Sequence, residues 1–359
     1  MSKDTKPIVS WLLTGCLLIF LMVVIGGITR LTHSGLSITE WNVIMGSIPP
    51  LNDTQWQLVF DQYKQFPEYK LINHQMGMEE FKFIFFWEFI HRFIGRLIGI
   101  VFIIPFVWFV WKKKISKPLM RKLLFIFFLG GFQGFLGWFM VKSGLQDNPH
   151  VSHFRLATHL ITAFITFGFL FYTALDIIYQ GEMSPKEDMG SGTSSFFRRL
   201  SLLFFSLTIV QIIYGAFVAG LRAGLVYNTF PMMGNEWMPA AVLSFSPWWD
   251  NFLSNVAGIQ FIHRCMAWVL FVLGTYLFIK MFVLKMGGQL KKSIVILYAV
   301  LITQLTLGIF TLLYAVPLWL GVMHQAIAFV LFSAALYFVF RSRKIADLDH
   351  LTNLSPKNT

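Results

Sequence analysis

The chain has 359 residues, of which 56% are hydrophobic and only 13% charged, with a mean hydropathy of +0.65; this excludes an ordinary soluble domain and reads as an integral membrane protein. The net charge of +12 does not point to nucleic acid, because the cations gather in alternate connections between apolar runs. The two cysteines, Cys16 and Cys265, both lie inside apolar runs, which excludes a disulfide framework and a CxxC metal motif.

Eight runs are long enough to cross a bilayer core of about 30 Å as helices: about 8–29, 81–111, 122–141, 154–179, 200–220, 258–284, 293–314 and 320–340. No small-residue cleavage site follows the first, so it reads as a retained helix and not a signal peptide. The connection 30–80 is long and acidic, carrying Glu40, Asp53, Asp61, Glu68, Glu79 and Glu80, and a loop of that length is expected to cover a site. The second run contains FWEFIHRFIGRLIG, in which Glu88, His91, Arg92 and Arg96 interrupt an apolar helix pattern. Ionisable groups in a spanning helix are costly and face a functional interior. After it come Lys112, Lys113, Lys114, Lys117, Arg121 and Lys122. The third run carries Gly130, Gly131, Gly134 and Gly137, read as sites of close helix approach, and the motif Gln133-x-x-x-Gly137. The fourth carries Arg155 and His159. A polar, Gly/Ser-rich stretch, 180–192, then reads as a linker.

Arg198 and Arg199 precede the fifth run, whose end, AGLRAG, resembles the GGITRL that closes the first. The sixth run, GIQFIHRCMAWVLFVLG, repeats the His-Arg pair as His263 and Arg264; the seventh repeats the glutamine motif as Gln304-x-x-x-Gly308; the eighth holds His324. Lys285, Lys291, Lys292, Arg341, Arg343 and Lys344 complete the basic connections. The positive-inside rule places those connections and both termini in the cytoplasm, and 30–80, 142–153, 221–257 and 315–319 outside. The ordered repetition predicts an all-α membrane protein of eight transmembrane helices in two pseudo-symmetric, parallel four-helix bundles. The halves are 1–180 and 200–345, with a cytoplasmic linker at 181–199 and a polar tail at 346–359.

Of nine histidines, His33, His74, His150 and His350 fall in loops or the tail, and His153 is a bystander. His91, His159, His263 and His324 each lie in an even-numbered run near its outer end. A single membrane histidine is ordinarily a hydrogen-bonded packing residue; four in register are better explained as ligands. Imidazole is an axial ligand for haem iron, and bundles hold cofactors between facing helices. His91 with His159, and His263 with His324, would each clamp a porphyrin, with Arg92, Arg155 and Arg264 available to propionates. Zinc suits the pattern less, since a His pair is too few ligands for a closed site. Glu88 lies one turn before His91, where the second half has Gln260. A carboxyl beside one of two sites points to proton handling there; the alternative is a plain Glu88–Arg92 ion pair at i,i+4.

The ordered set GGITRLTHSGLSITEWN, EFIHRFIGRLIG, FRLATHL, AGLRAGLVYNTFPMMG, FIHR and MHQ resembles the haem A synthase family over nearly the whole chain. The long first loop and the EFKF approach to the second run look like its mitochondrial and proteobacterial branch. The resemblance implies that His263 and His324 hold the iron of a haem b cofactor. It implies that His91 and His159 hold the haem o substrate, and that Glu88 takes part in the reaction. That reaction converts the C8 methyl of haem o to a formyl group by two successive hydroxylations. The partners implied are haem o, membrane lipid, the prenyltransferase that makes haem o and an electron acceptor, in the plasma membrane of a bacterium in preference to the mitochondrial inner membrane. Some bacterial members carry a cysteine pair in an outer loop; no outer loop here contains cysteine. Two other readings are a dihaem b electron carrier exchanging with quinone, and a transporter with histidine proton relays. The GLVYNTFPMMG loop is either a cap on the second site or a structural turn.

Overall fold

The computed structural model describes the backbone over residues 5–38, 48–144, 151–180 and 191–354. Helix α1 (Lys6–Leu31) leads to two short helices, α2 (Asp53–Tyr63) and α3 (Pro67–Leu71). Then come α4 (Met78–Trp111), α5 (Lys117–Gly144), α6 (His153–Ile178), α7 (Ser191–Gly220), the one-turn α8 (Asp250–Leu253), α9 (Val256–Val283), α10 (Gly288–Leu313) and α11 (Leu318–Leu354). No strand occurs among the described residues, only an isolated bridge between Met233 and Glu236. Eight of the helices are long and apolar enough to cross a membrane. The chain is an all-α integral membrane protein. On α5, Phe125, Phe128, Phe132 and Phe135 are all exposed, a surface suited to lipid rather than water.

Local chemistry sets the helix starts. Pro7 opens α1 and Pro67 opens α3 at positions where a missing N–H costs nothing. The Glu80 carboxylate turns back to accept from Gly77 N–H at the start of α4 (2.9 Å). Asn255 caps α9 by accepting from Ala257 N–H and Gly258 N–H. A Cβ on Gly258 would lie 2.0 Å from Asn251 O, so this first turn of α9 tolerates only glycine.

Packing divides the chain into two units, residues 2–171 and 172–359. The boundary falls inside α6, at Tyr172, which meets Phe340 edge to ring and accepts a hydrogen bond from Arg343. In the first unit α1 lies along α4: Trp11 donates to Val101 O (2.9 Å) and its ring packs on Phe102 and Phe109. In the second, Phe204, Leu270, Leu277, Leu297, Leu301 and Phe338 form part of a continuous core. Gly274 brings α9 against α10, since a Cβ there would meet Leu301 at 2.4 Å.

Each unit carries a folded cap at one end of its long helices. In the first, α2 and α3 pack on the opening turns of α4 through Phe60, Tyr63, Phe81 and Phe85. Within this cap Glu68 is buried; Tyr63 donates to it (3.2 Å), and Asn73 donates in turn to the Tyr63 oxygen (2.7 Å). Burial, and then the Glu88 charge, push the Glu68 carboxyl from an ordinary 4.5 up to about 8. A group whose folded pKa is raised contributes stability that is complete below the unfolded value and lost as pH rises through the folded one. The cap is therefore expected to be tightest below about pH 4.5 and to loosen as pH rises towards 8. Trp56, which packs against Phe81 and Phe85, reports this by its fluorescence. The pH dependence should vanish in Glu68→Gln, and a transition that persists there would assign it to another group.

Candidate functional site

The four register histidines sit on α4, α6, α9 and α11. His159, His263 and His324 come about two turns into their helices and His91 about four, because α4 begins with extra turns that carry the first cap. His91 and His159 are close enough to interact electrostatically, as are His263 and His324. Among the described residues these histidines belong to no group of three or more His, Cys, Asp or Glu.

Every one of the four rings rests on a glycine of a neighbouring odd-numbered run. A Cβ at Gly26 would lie 3.2 Å from His91 Nε2; at Gly137, 3.2 Å from His159 Cε1; at Gly215, 3.3 Å from His263 Cε1; and at Gly308, 2.8 Å from His324 Cε1. Three of the rings also face a glutamine amide: Gln133, Gln211 and Gln304 place Nε2 at 3.5, 3.4 and 3.3 Å from Nε2 of His159, His263 and His324. Gln133 and Gln211 also donate to the main-chain oxygens of His159 and His263, at 2.9 and 3.1 Å. Nδ1 of His159, His263 and His324 remains buried without a hydrogen-bond partner. A buried polar atom left unpaired costs about 1–3 kcal/mol. The amide contacts, at 3.3–3.5 Å, lie at the outer limit of a hydrogen bond, so neither nitrogen of these rings is firmly engaged, an arrangement that fits an iron ligand.

Sequence reasoning assigned Gly130, Gly131, Gly134 and Gly137 to close helix approach. For the first three a Cβ would meet nothing within 4 Å, and Gly137 seats His159 instead. Gln211 and Gly215, and Gly26, were missed as site residues. The Gln-x-x-x-Gly spacing that links span three to span seven is present at Gln211–Gly215 and was the available signal.

The caps join the site one turn away. Glu88, 3% exposed, accepts from Ser37 Oγ (2.7 Å) and Ile38 N–H (2.8 Å) and pairs with Arg92. Arg92 donates onward to Ile38 O (2.9 Å). The ion pair weighed as the alternative role for Glu88 is thus present, and it closes the first loop over α4. In the second unit Gln260 donates to Ala223 O (2.9 Å) and Tyr227 O (3.3 Å). Arg264 donates to the oxygens of Tyr227 (2.6 Å), Thr229 (2.8 Å) and Met232 (3.2 Å). The residue types follow their partners: the first loop presents donors to a carboxylate, the second presents carbonyls to an amide. Arg155 lies over the Phe139 ring. Arg92 and Arg264 are committed to their loops, a duty sequence reasoning did not give them. Of the other histidines, His33 follows α1 with a left-handed φ of 54°, His153 opens α6 against Phe154, and His350 lies in the α11 extension. His150 lies outside the described residues.

Comparison with known proteins places these features in a family. The model of the family described as cytochrome oxidase assembly protein matches residues 9–336. The chain is 45% identical over 346 residues to a protein named heme A synthase from Flavobacterium psychrophilum, covering 95% of this chain and all of the other. It is 46% identical over 332 residues to one of that name from Nitrosospira multiformis (92% of each). It is 43% identical over 342 residues to one from the Wolbachia of Brugia malayi (95% and 98%).

Charge-assisted hydrogen bonds contribute about 1.5–3 kcal/mol each, so Arg264→Ala should free the second cap. Amide exchange over residues 223–236 is expected to rise at least about tenfold, with residues 53–71 unchanged. Equal exchange in wild type and variant would mean that other contacts hold this loop.

Proposed function

This chain belongs to the cytochrome oxidase assembly protein family, and on that premise we propose that it is a haem A synthase, oxidising the C8 methyl of haem o to the formyl group of haem a. The observation that carries the reading is the pairing of ligand-ready histidines with a carboxylate beside only one pair. His263 and His324 would hold a haem b cofactor, and His91 and His159 the haem o substrate. Bound haem supplies redox chemistry at iron; the protein supplies ligands, orientation and proton handling.

Glu88 precedes His91 by one helical turn and shares its face. With water supplying the oxygen and a membrane acceptor taking the electrons, converting the methyl to a formyl group (R–CH3 + H2O → R–CHO + 4 H+ + 4 e−) releases protons, and a buried carboxylate at that position can accept one. Its bonds to Ser37 and Ile38 fix where the carboxylate points and tie it to the loop that excludes water. The second unit has Gln260 in its place, which cannot take a proton at neutral pH. A dihaem b electron carrier needs no such difference between its halves, which is why the enzyme reading is preferred. Haem o is lipophilic, so it would enter from the bilayer, with the haem o-making prenyltransferase as its source and a membrane electron acceptor as the sink. The basic connections would lie in the cytoplasm and the caps outside, in a bacterial plasma membrane.

Haems extracted from the purified protein and from Glu88→Ala, separated by chromatography, test this. Wild type is expected to yield haem b together with haem o, hydroxylated haem or haem a; the variant should keep haem b and lose the oxidised forms. Two haem b per chain in both would leave the electron carrier.

A further inference from the structure

The glycine seat occurs four times, but the glutamine beside it only three. Four residues before Gly137, Gly215 and Gly308 stand Gln133, Gln211 and Gln304; four residues before Gly26 stands Met22. Met22 packs its Cε 3.6 Å from the Cβ position of Gly95, one turn beyond His91 on α4. Among the described residues no side chain hydrogen-bonds the His91 ring, and the ring is turned differently from the others. Its Nε2 and Cδ2 edge faces Gly26, whereas His159, His263 and His324 all present Cε1 to their glycines. Three imidazoles with an amide share one orientation, and the one without departs from it.

We propose that Gln133, Gln211 and Gln304 are positioning residues for the ligand imidazoles, and that Met22 makes His91 the exchangeable iron ligand of the His91/His159 pair. The inference rests on reading these histidines as haem ligands. A partner that accepts the N–H of the second ring nitrogen fixes the tautomer and plane of a ligand histidine and strengthens its bond to metal, by about 10–100-fold in affinity; each glutamine holds such an acceptor, its buried and unpartnered Oε1, on the amide that already faces the ring. A thioether donates no hydrogen bond, accepts only weakly, and sits on a flexible side chain. His91 must therefore be ordered by iron itself, while its three counterparts are already held. The distribution matches the traffic each site carries. The second unit, glutamine on both sides, keeps a resident cofactor. The first, with glutamine on one side, must accept a substrate haem and release a product, and breaking the weaker iron–His91 bond opens it.

Carbon monoxide tests this in the full-length protein in detergent, because it binds ferrous haem only when an axial ligand leaves. With the second site emptied by His263→Ala, the remaining haem should bind carbon monoxide. Met22→Gln should slow that binding by about tenfold or more, and Met22→Leu should leave it unchanged. In the otherwise wild-type chain, Gln304→Met should make the second haem newly reactive. Unchanged kinetics in Met22→Gln, or an inert second haem in Gln304→Met, would overturn the inference. The haem content of the same samples separates the two levels. A His263→Ala chain that binds no added haem refutes the ligand reading of His91 and His159, whereas one whose haem ignores residue 22 refutes the role of Met22 alone.

Discussion

A polar ring inside a lipid-spanning bundle must have each of its nitrogens satisfied, because neither lipid nor a packed apolar core offers a partner. The arrangement around the four histidines follows from that constraint. A glycine on the neighbouring helix gives the imidazole room, as the 2.8 Å approach at Gly308 illustrates, and three glutamines four residues away address one side of the ring. What is left over is a buried, unpartnered Nδ1 on His159, His263 and His324. The apolar core of each unit, including the close approach of α9 to α10 at Gly274, holds these contacts in register.

The caps obey a related rule at the helix ends. Backbone N–H and C=O groups in irregular loops need partners where they approach the bundle, and each unit supplies them from a pair of side chains one turn apart. Glu88 and Arg92 satisfy Ser37 and Ile38; Gln260 and Arg264 satisfy the carbonyls of residues 223–232. The two solutions are built at the same helix positions but are chemically opposite, donors facing a carboxylate in one and acceptors facing an amide in the other. The difference confines an ionisable group to one unit, so the structural clasp and the chemical asymmetry between the units reside in the same residue.

The fold class was legible in the sequence because membrane spans are set by composition over a window of about 20 residues, a local property. The eight runs reappear as eight helices with ends shifted by about five residues or fewer, except at the start of α7 and the end of α11, which extend further. The histidines, Glu88 and its Gln260 counterpart were legible because ionisable groups are rare enough in such helices to stand out. The duties of the other residues were not. Gly137 read as a packing glycine, Gln133 and Gln304 as mere markers of a repeat, and Arg92 and Arg264 as partners for propionates. A side chain four residues along a helix says nothing about which neighbouring helix it will face.

Sequence alone determined the membrane class, the number of spans, the repeated His-Arg pair and the family, since each depends on residue type and order along one chain. Only the tertiary structure decided that each imidazole rests on a glycine, that among the described residues three of them meet an amide and His91 does not, and that the two arginines close loops. Those facts are contacts between segments far apart in the chain, and they exist only once the helices have packed.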